Sequence, residues 1–269
     1  MLNVLEAGSR ENLEKLLFNQ IEEDLKSGEK VILVVPAQAS LSVEKKAFDV
    51  LNSSGFFDLR IVRGQKLHDE IMHECGYPGL TSVNTIGRSM LLRRIAAQNN
   101  EALGTFSSVS LEDGFIDMSG DFIVQLKQND LDENKLDKLV ESSKGLLKGK
   151  LSDMKLMYLE YEKALAGRFT DSEDLLAFVT NKIKDCGFIK EYKIYYYGFY
   201  SFTQRELKYL SELEKYSKGL CVALECGKGS NFEVTRKTSA KLLNLIPGAK
   251  GIKDDAKVSI LGNLSSDKM

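Results

Sequence analysis

The chain has 269 residues, 43% of them hydrophobic and 28% charged, with a formal net charge of −2. That composition belongs to a globular protein with a core of its own and excludes a disordered chain. It is also unlike a strongly basic nucleic-acid binder, although a local basic groove stays compatible with it.

No run of about 18 apolar residues is present, so no membrane-spanning helix is expected. The opening MLNVLEAGSRENLEKLL lacks the basic and apolar regions of a secretory signal. Leu2 to Glu6 reads as a short strand, and Ala7-Gly8-Ser9 as a small-residue turn. Leu13, Leu16, Leu17, Ile21 and Leu25 then share one face of a helix that Gly28 ends. Val31 to Val35 is apolar on both faces, as in a strand covered on both sides of a parallel sheet. Val43, Ala47, Val50 and Leu51 mark a second helix, and Leu59 to Val62 a third strand. Strands alternating with helices imply a parallel α/β sheet.

From about Gly76 to Asp185 helical periodicity replaces the strand runs. Ile86, Met90, Leu91 and Ile95 fall on one helix face, and Phe122, Val124 and Leu126 on another helix. Gln128 to Lys150 reads as a short helix with mobile flanks. Met154, Met157, Tyr158, Tyr161 and Leu165 form a core stripe, and Thr170 with Glu173 a capping box before Leu175 to Ile183.

The α/β pattern returns with a strand at Tyr192–Tyr197 and a loop at Gly198–Phe202. Thr203 and Glu206 form a second capping box, and Leu220–Leu224 is a further strand. Val258–Leu261 is the last strand-like run, and a polar tail follows. The expected organisation is a discontinuous sheet domain over 1–75 and 186–262, a helical insertion over 76–185 and a tail over 263–269. The stop after the last run suggests a fragment of something longer. The four cysteines (Cys75, Cys186, Cys221, Cys226) form no CxxC pair or zinc spacing, so free thiols in a reducing cytoplasm are expected, with no metal site.

The first strand-turn-helix is where a phosphate-binding loop would lie. Such a loop needs glycines, a Lys for the phosphates and a Ser/Thr for magnesium. Gly8 and Ser9 suit it, but Arg10, Glu11 and Asn12 stand where a GKT triplet would sit. Glu11 puts an anion where a phosphate should bind, which Arg10 only partly offsets. The strand Tyr192–Tyr197 ends without the carboxylates that hold magnesium and orient water; the next one is Glu206. No other GxxxxGK[ST] occurs, and with two histidines in one segment and no GxSxG elbow a hydrolase centre is not expected.

Four stretches resemble the N-terminal region of the B-type component of the bacterial ATP-dependent helicase/deoxyribonuclease, the AddB or RexB type. They are AGS at 7–9, LVVPAQASLSVEKKAF at 33–48, TIGRSMLLRRI at 85–95 and YYYGFYSFTQREL at 195–207. The last is the most specific, and the resemblance spans essentially the whole chain. It implies a P-loop NTPase/RecA-like parallel sheet with a mostly helical insertion, the 1A and 1B-like parts of a superfamily 1 helicase whose motor has decayed.

The family acts in resection of double-strand breaks for recombinational repair. The resemblance therefore implies two kinds of partner, in the cytoplasm and away from membranes. One is the A-type helicase subunit, which carries the active motor; the other is single- and double-stranded DNA. The family's iron–sulfur nuclease domain would lie downstream, leaving no cofactor expected in this stretch. Two departures weaken an ATPase: Arg10-Glu11-Asn12 in place of GKT, and Tyr197 in place of the Asp of DGF. Gly8, Ser9 and Arg10 would be a degenerate nucleotide loop, and the chain alone would be catalytically inert. A working ATP-binding helicase domain and a pure protein-interaction scaffold are the alternatives.

Ligands of open parallel sheets sit at the carboxyl ends of the strands. Gln38 and Ser40 after the second strand, and Arg63 and Gln65 after the third, are the candidate DNA contacts, or else ordinary polar loop residues. Phe199, Tyr200 and Phe202 could stack bases or pack their loop. Arg88, Arg93 and Arg94 form a basic helix face that is either solvated or a DNA or partner contact. His68 and His73 have no third ligand nearby and read as structural or surface residues.

Overall fold

The structure is a computed structural model, described over residues 1–51 and 58–253. In chain order the elements are β1 (Leu2–Ala7), α1 (Arg10–Lys26), β2 (Lys30–Val35), α2 (Ser40–Val50), β3 (Leu59–Arg63), α3 (Gly64–Cys75) and β4 (Thr81–Ser82). The helical stretch continues with α4 (Thr85–Gln98), α5 (Asp113–Gln128), α6 (Glu133–Ser142), α7 (Gly145–Leu165), β5 (Phe169–Thr170) and α8 (Ser172–Lys182). Then come β6 (Tyr192–Tyr197), α9 (Gln204–Tyr216), β7 (Gly219–Glu225), α10 (Glu233–Leu245) and β8 (Lys250–Lys253). The described residues fall into two compact units: 1–51, 58–67, 187–201 and 213–253 in one, and 68–186 with 202–212 in the other.

The first unit holds a six-stranded sheet in the order β3-β2-β6-β7-β1-β8, with every pairing parallel. Its central strands are apolar on both sides because both faces are covered. Leu5, Ala7, Val31, Leu33, Val35, Tyr195, Tyr197 and Cys221 face the helices α1 and α2. Side chains of opposite parity, among them Val4, Ile32, Val34, Ile194 and Val222, are fully buried on the other face. There α10 lies against β1 and β7, and Ser239 donates to the Glu6 carboxylate.

This is the RecA-like α/β arrangement that the sequence implies. Two further elements carry no apolar pattern that would announce them: α10, whose buried face is mostly Thr235, Thr238 and Ser239, and the edge strand β8. The run Val258–Leu261 lies outside the described residues. On α2, Val43 and Ala47 are buried as expected but Val50 is half exposed, because the helix ends there.

The second unit is helical, with one short parallel pair, Thr81–Ser82 against Phe169–Thr170. Its core joins Leu92, Ile95 and Ala96 of α4, Phe115, Ile116 and Ile123 of α5, and Met154, Met157, Tyr161 and Leu165 of α7. The Met/Tyr stripe is thus core, as its spacing implies. The expected face of α4 is corrected: Ile95 is buried, but Ile86 and Met90 are about 70% exposed, since the helix turns Leu92, Ile95 and Ala96 inward instead.

The stretch from Gln128 to Lys150 is also corrected. It holds α6 and the first turn of α7, so its C-terminal flank is helix. The cap of α8 is Asp171 rather than Thr170, its Oδ1 accepting from Asp174 N at 2.9 Å while Thr170 is buried in β5. Thr203 and Glu206 do form the expected reciprocal box: Glu206 Oε2 accepts from Thr203 N at 2.7 Å, and Thr203 Oγ1 from Glu206 N at 3.2 Å.

A buried charge cluster pins this unit. Lys127 Nζ, 1% exposed, donates to Asp171 Oδ2 at 2.7 Å and Asp174 Oδ2 at 2.6 Å and lies 2.7 Å from Glu162 Oε1. Burial opposes the ammonium charge, but Asp171 and Asp174 outweigh it and hold Lys127 above the usual lysine range. Removing the cation would leave the buried Asp171 carboxylate without its counter-charge. Lys127→Ala is therefore expected to lower unfolding free energy by about 3–5 kcal/mol in urea denaturation, whereas Lys163→Ala, at an exposed pair, changes it by under about 1 kcal/mol.

His68 packs edge-on against Tyr209 with ring centroids 4.8 Å apart, in keeping with a structural role. Burial drops its pKa to about 4. In the unfolded chain it titrates near 6.5, so between those values the unfolded state binds the extra proton. Stability is expected to fall as pH is lowered from about 6.5 to 4. His68→Gln should flatten that part of a midpoint-against-pH series.

Candidate functional site

The carboxyl ends of β1, β2, β6 and β7 open into a cleft of about 690 Å³. It is lined by Arg10 and Leu13 of α1, by Pro36, Gln38 and Ser42 after β2, by Tyr197 to Ser201 after β6, and by Ala223 and Glu225 at the end of β7. Connections from β1 and from β7 leave the sheet in opposite directions, so the cleft lies where ligands of open α/β sheets gather.

Only Gly8 and Ser9 join β1 to α1. Ser9 is the N-cap, and its Oγ accepts from Asn12 N at 3.3 Å. Two residues are too few for the cradle of a GxxxxGK loop, and the cap already satisfies one of the first free helix N–H groups.

Glu11 is the acidic residue of the first turn of α1, but the anion that the donors beside the cleft meet is Glu14, in the next turn. Glu11 is exposed and pairs with Lys15 at 2.7 Å, away from the cleft lining. Glu14, 14% exposed, accepts from Tyr197 OH at 2.5 Å, from Arg10 Nε at 3.1 Å, and from Lys46 Nζ at 2.8 and 2.7 Å on its two oxygens. Burial pushes this carboxyl up, but the bonds from Lys46, Tyr197 and Arg10 prevail and hold it below the usual glutamate range. Burial and the bond to Glu14 raise the Tyr197 phenol in turn. The sequence hint for this cluster is the i,i+4 spacing of Arg10 and Glu14. The cationic donors beside the start of α1 are thus engaged by a carboxylate of the chain itself.

A second tyrosine does the same further along. Tyr195 OH donates to Asp24 Oδ2 at 2.5 Å, and Lys193 Nζ to Asp24 Oδ1 at 2.7 Å. The helix α1 is thus fastened to β6 at both ends.

Of the residues singled out in the sequence, Arg10 and Gln38 reach the cleft, with Phe199 and Tyr200. Tyr200 is about two-thirds exposed, and Thr238 Oγ1 donates to its carbonyl at 3.0 Å. Gly198 has φ +86, and a Cβ there would meet Pro36 Cδ at 3.1 Å, so the turn and the cleft wall require glycine. Ser40 turns to Glu44 at 3.0 Å and is not part of the lining.

Arg63 is the last residue of the edge strand β3 rather than a loop residue, and Gln65 lies in the first turn of α3; both are exposed and outside the cleft. Phe202 is nearly buried. In the other unit, Arg93 is committed to the Leu111 carbonyl at 2.7 Å and to Asp113, so the basic face of α4 is only partly free. Glu225 is a carboxylate at the cleft that no sequence pattern marks.

The family comparison decides the relationship. A model described as ADDB, N-terminal matches residues 8–258. The chain belongs to this family.

Among curated relatives, it is 26% identical over 239 residues to the B-type component of the ATP-dependent helicase/deoxyribonuclease of Clostridium perfringens, covering 85% of this chain and 21% of that one. The protein of the same name from Listeria innocua is 26% identical over 241 residues, covering 87% and 21%. That of Alkaliphilus oremlandii is 26% identical over 226 residues, covering 80% and 20%. The chain spans about a fifth of the length of these family members.

If Glu14 is what neutralises Arg10 and Lys46, Glu14→Gln should free two cations beside the cleft. Its affinity for inorganic pyrophosphate is expected to rise several-fold over the wild type in calorimetry at low salt, and the gain to fade as salt is raised. Tyr197→Phe, which leaves both cations on Glu14, should show no such gain.

Proposed function

We propose that this chain is the N-terminal, helicase-like part of the B-type component of an ATP-dependent helicase/deoxyribonuclease. In this reading it keeps the RecA-like architecture without hydrolysing ATP. It contributes to the DNA path and to contact with the A-type helicase subunit during resection of double-strand breaks for homologous recombination.

The observation that carries the loss of ATPase is the bonding of Arg10, Lys46 and Tyr197 to Glu14. Family membership supports the repair context, because the relatives are named as components of a helicase/deoxyribonuclease. The carboxyl edge of the sheet supports a role in holding DNA. Gln38 lines the cleft, Tyr200 offers an exposed ring for a base, and Arg63 stands exposed at the end of β3.

Titration with a fluorescent ATP analogue and magnesium is expected to show no saturable binding up to millimolar nucleotide. Tight, magnesium-dependent binding would overturn the loss of the motor. In the assembled two-subunit complex, Gln38→Ala combined with Arg63→Ala is expected to weaken single-stranded DNA binding several-fold and to reduce its salt slope by about one, with ATP turnover unchanged. Unchanged DNA affinity would remove this edge from the DNA path and favour a protein-interaction scaffold.

A further inference from the structure

We propose that Cys75 and Cys186 are a reversible dithiol–disulfide pair that ties together the two ends of the helical stretch. Cys75 is the last residue of α3, and Cys186 directly follows the 3-10 turn Ile183–Asp185. All of α4 to α8 lies between them in the chain.

The two thiols are within hydrogen-bonding reach of each other. Cys186 Sγ also donates to Glu74 Oε2 at 3.4 Å. Cys186 is fully buried, whereas Cys75 is partly exposed. One sulfur can therefore meet a reagent from solvent, and the other is placed to meet the first. That is the division between an attacking and a resolving thiol. Cys221, by contrast, is buried inside β7.

The oxidant is a low-molecular-weight disulfide. Cys75 gives its proton to solvent and its thiolate attacks one of the small molecule's sulfurs; that S–S bond breaks, one half leaves as a thiolate and takes up a proton from solvent, and the other half stays on Cys75. Cys186 then passes its proton to the Glu74 carboxylate, and its sulfur attacks Cys75 Sγ. The mixed disulfide breaks, and the second half leaves as a thiolate that takes up the proton from Glu74. Two protein thiols are oxidised by two electrons, and one small disulfide is reduced to two small thiols.

Burial holds the Cys75 thiol above the ordinary cysteine range; the hydrogen bond with Cys186 opposes this, and Glu74 and Asp185 add to it. Little thiolate is present at neutral pH, so the bond forms slowly and faster as pH rises. Closing so long a loop restricts the unfolded chain, so the oxidised protein should be more heat-stable.

The test is incubation of the native chain with glutathione/glutathione disulfide mixtures, followed by alkylation and non-reducing peptide mass spectrometry. A peptide joining Cys75 to Cys186 is expected and should disappear in Cys75→Ser. It should persist in Cys226→Ser, with the melting temperature raised by several degrees and restored by dithiothreitol. Cys75→Ser alters the more accessible partner, so the result does not depend on a variant at the fully buried Cys186. Recovery of both cysteines in alkylated form after full oxidation, or of Cys75 carrying only glutathione, would overturn the proposal.

Discussion

The carboxylate of Glu14 is the constraint on which the carboxyl edge of the sheet depends. One side chain takes hydrogen bonds from the start of its own helix, from α2 and from the end of β6. Bonds to a charged acceptor are stronger than neutral ones, and partial burial keeps solvent from replacing them. These bonds hold the first turns of α1 against β6 and α2, next to a connecting turn of two residues.

This links two features that look independent in the sequence. A tyrosine ends β6, and the loop after β1 lacks a Lys-Thr pair. In the folded chain Tyr197 and Arg10 meet on the same carboxylate. A Lys at the loop would compete for Glu14, and an Asp at the end of β6 would face it as a like charge. The two positions thus belong to one arrangement of the strand ends, organised around the Glu14 carboxylate. Tyr195 and Asp24 repeat the device toward the opposite edge, so the tyrosine row of β6 serves as a set of fasteners for α1.

Much of the architecture is legible in the sequence because its signal is local. Runs such as Val31–Val35, short, mostly β-branched and bounded by Gly28 and Pro36, read as covered strands, and the stripe on α7 has the helical period. What escapes a sequence reading lacks such a signal. The strand β8 reads KGIK, and its pairing with β1 alone makes it a strand. The helix α10 buries threonine and serine, whose hydroxyls bond to backbone carbonyls and to Glu6, so it shows no apolar stripe. On α4 the period is legible and the face is not, since the sequence cannot say which of two overlapping apolar stripes meets the core. At the cleft, Gln38 and Arg10 are legible from their place after strands. Glu225 is not, and for Glu14 the sequence offers only its i,i+4 spacing from Arg10, because its partners Lys46 and Tyr197 are distant in sequence.

The order of the strands has a kinetic consequence. The strand β6 fits between β2 and β7, yet Lys30 and Glu191, paired at the start of β2 and just before β6, are 161 positions apart. A contact between such distant points must meet the entropy of closing a long loop before any strand pairing rewards it. The contacts among α4 to α8 span much shorter stretches. Helical order in the interposed segment would shorten the effective loop before β6 docks, so the central strand pairing of the sheet is expected to form late.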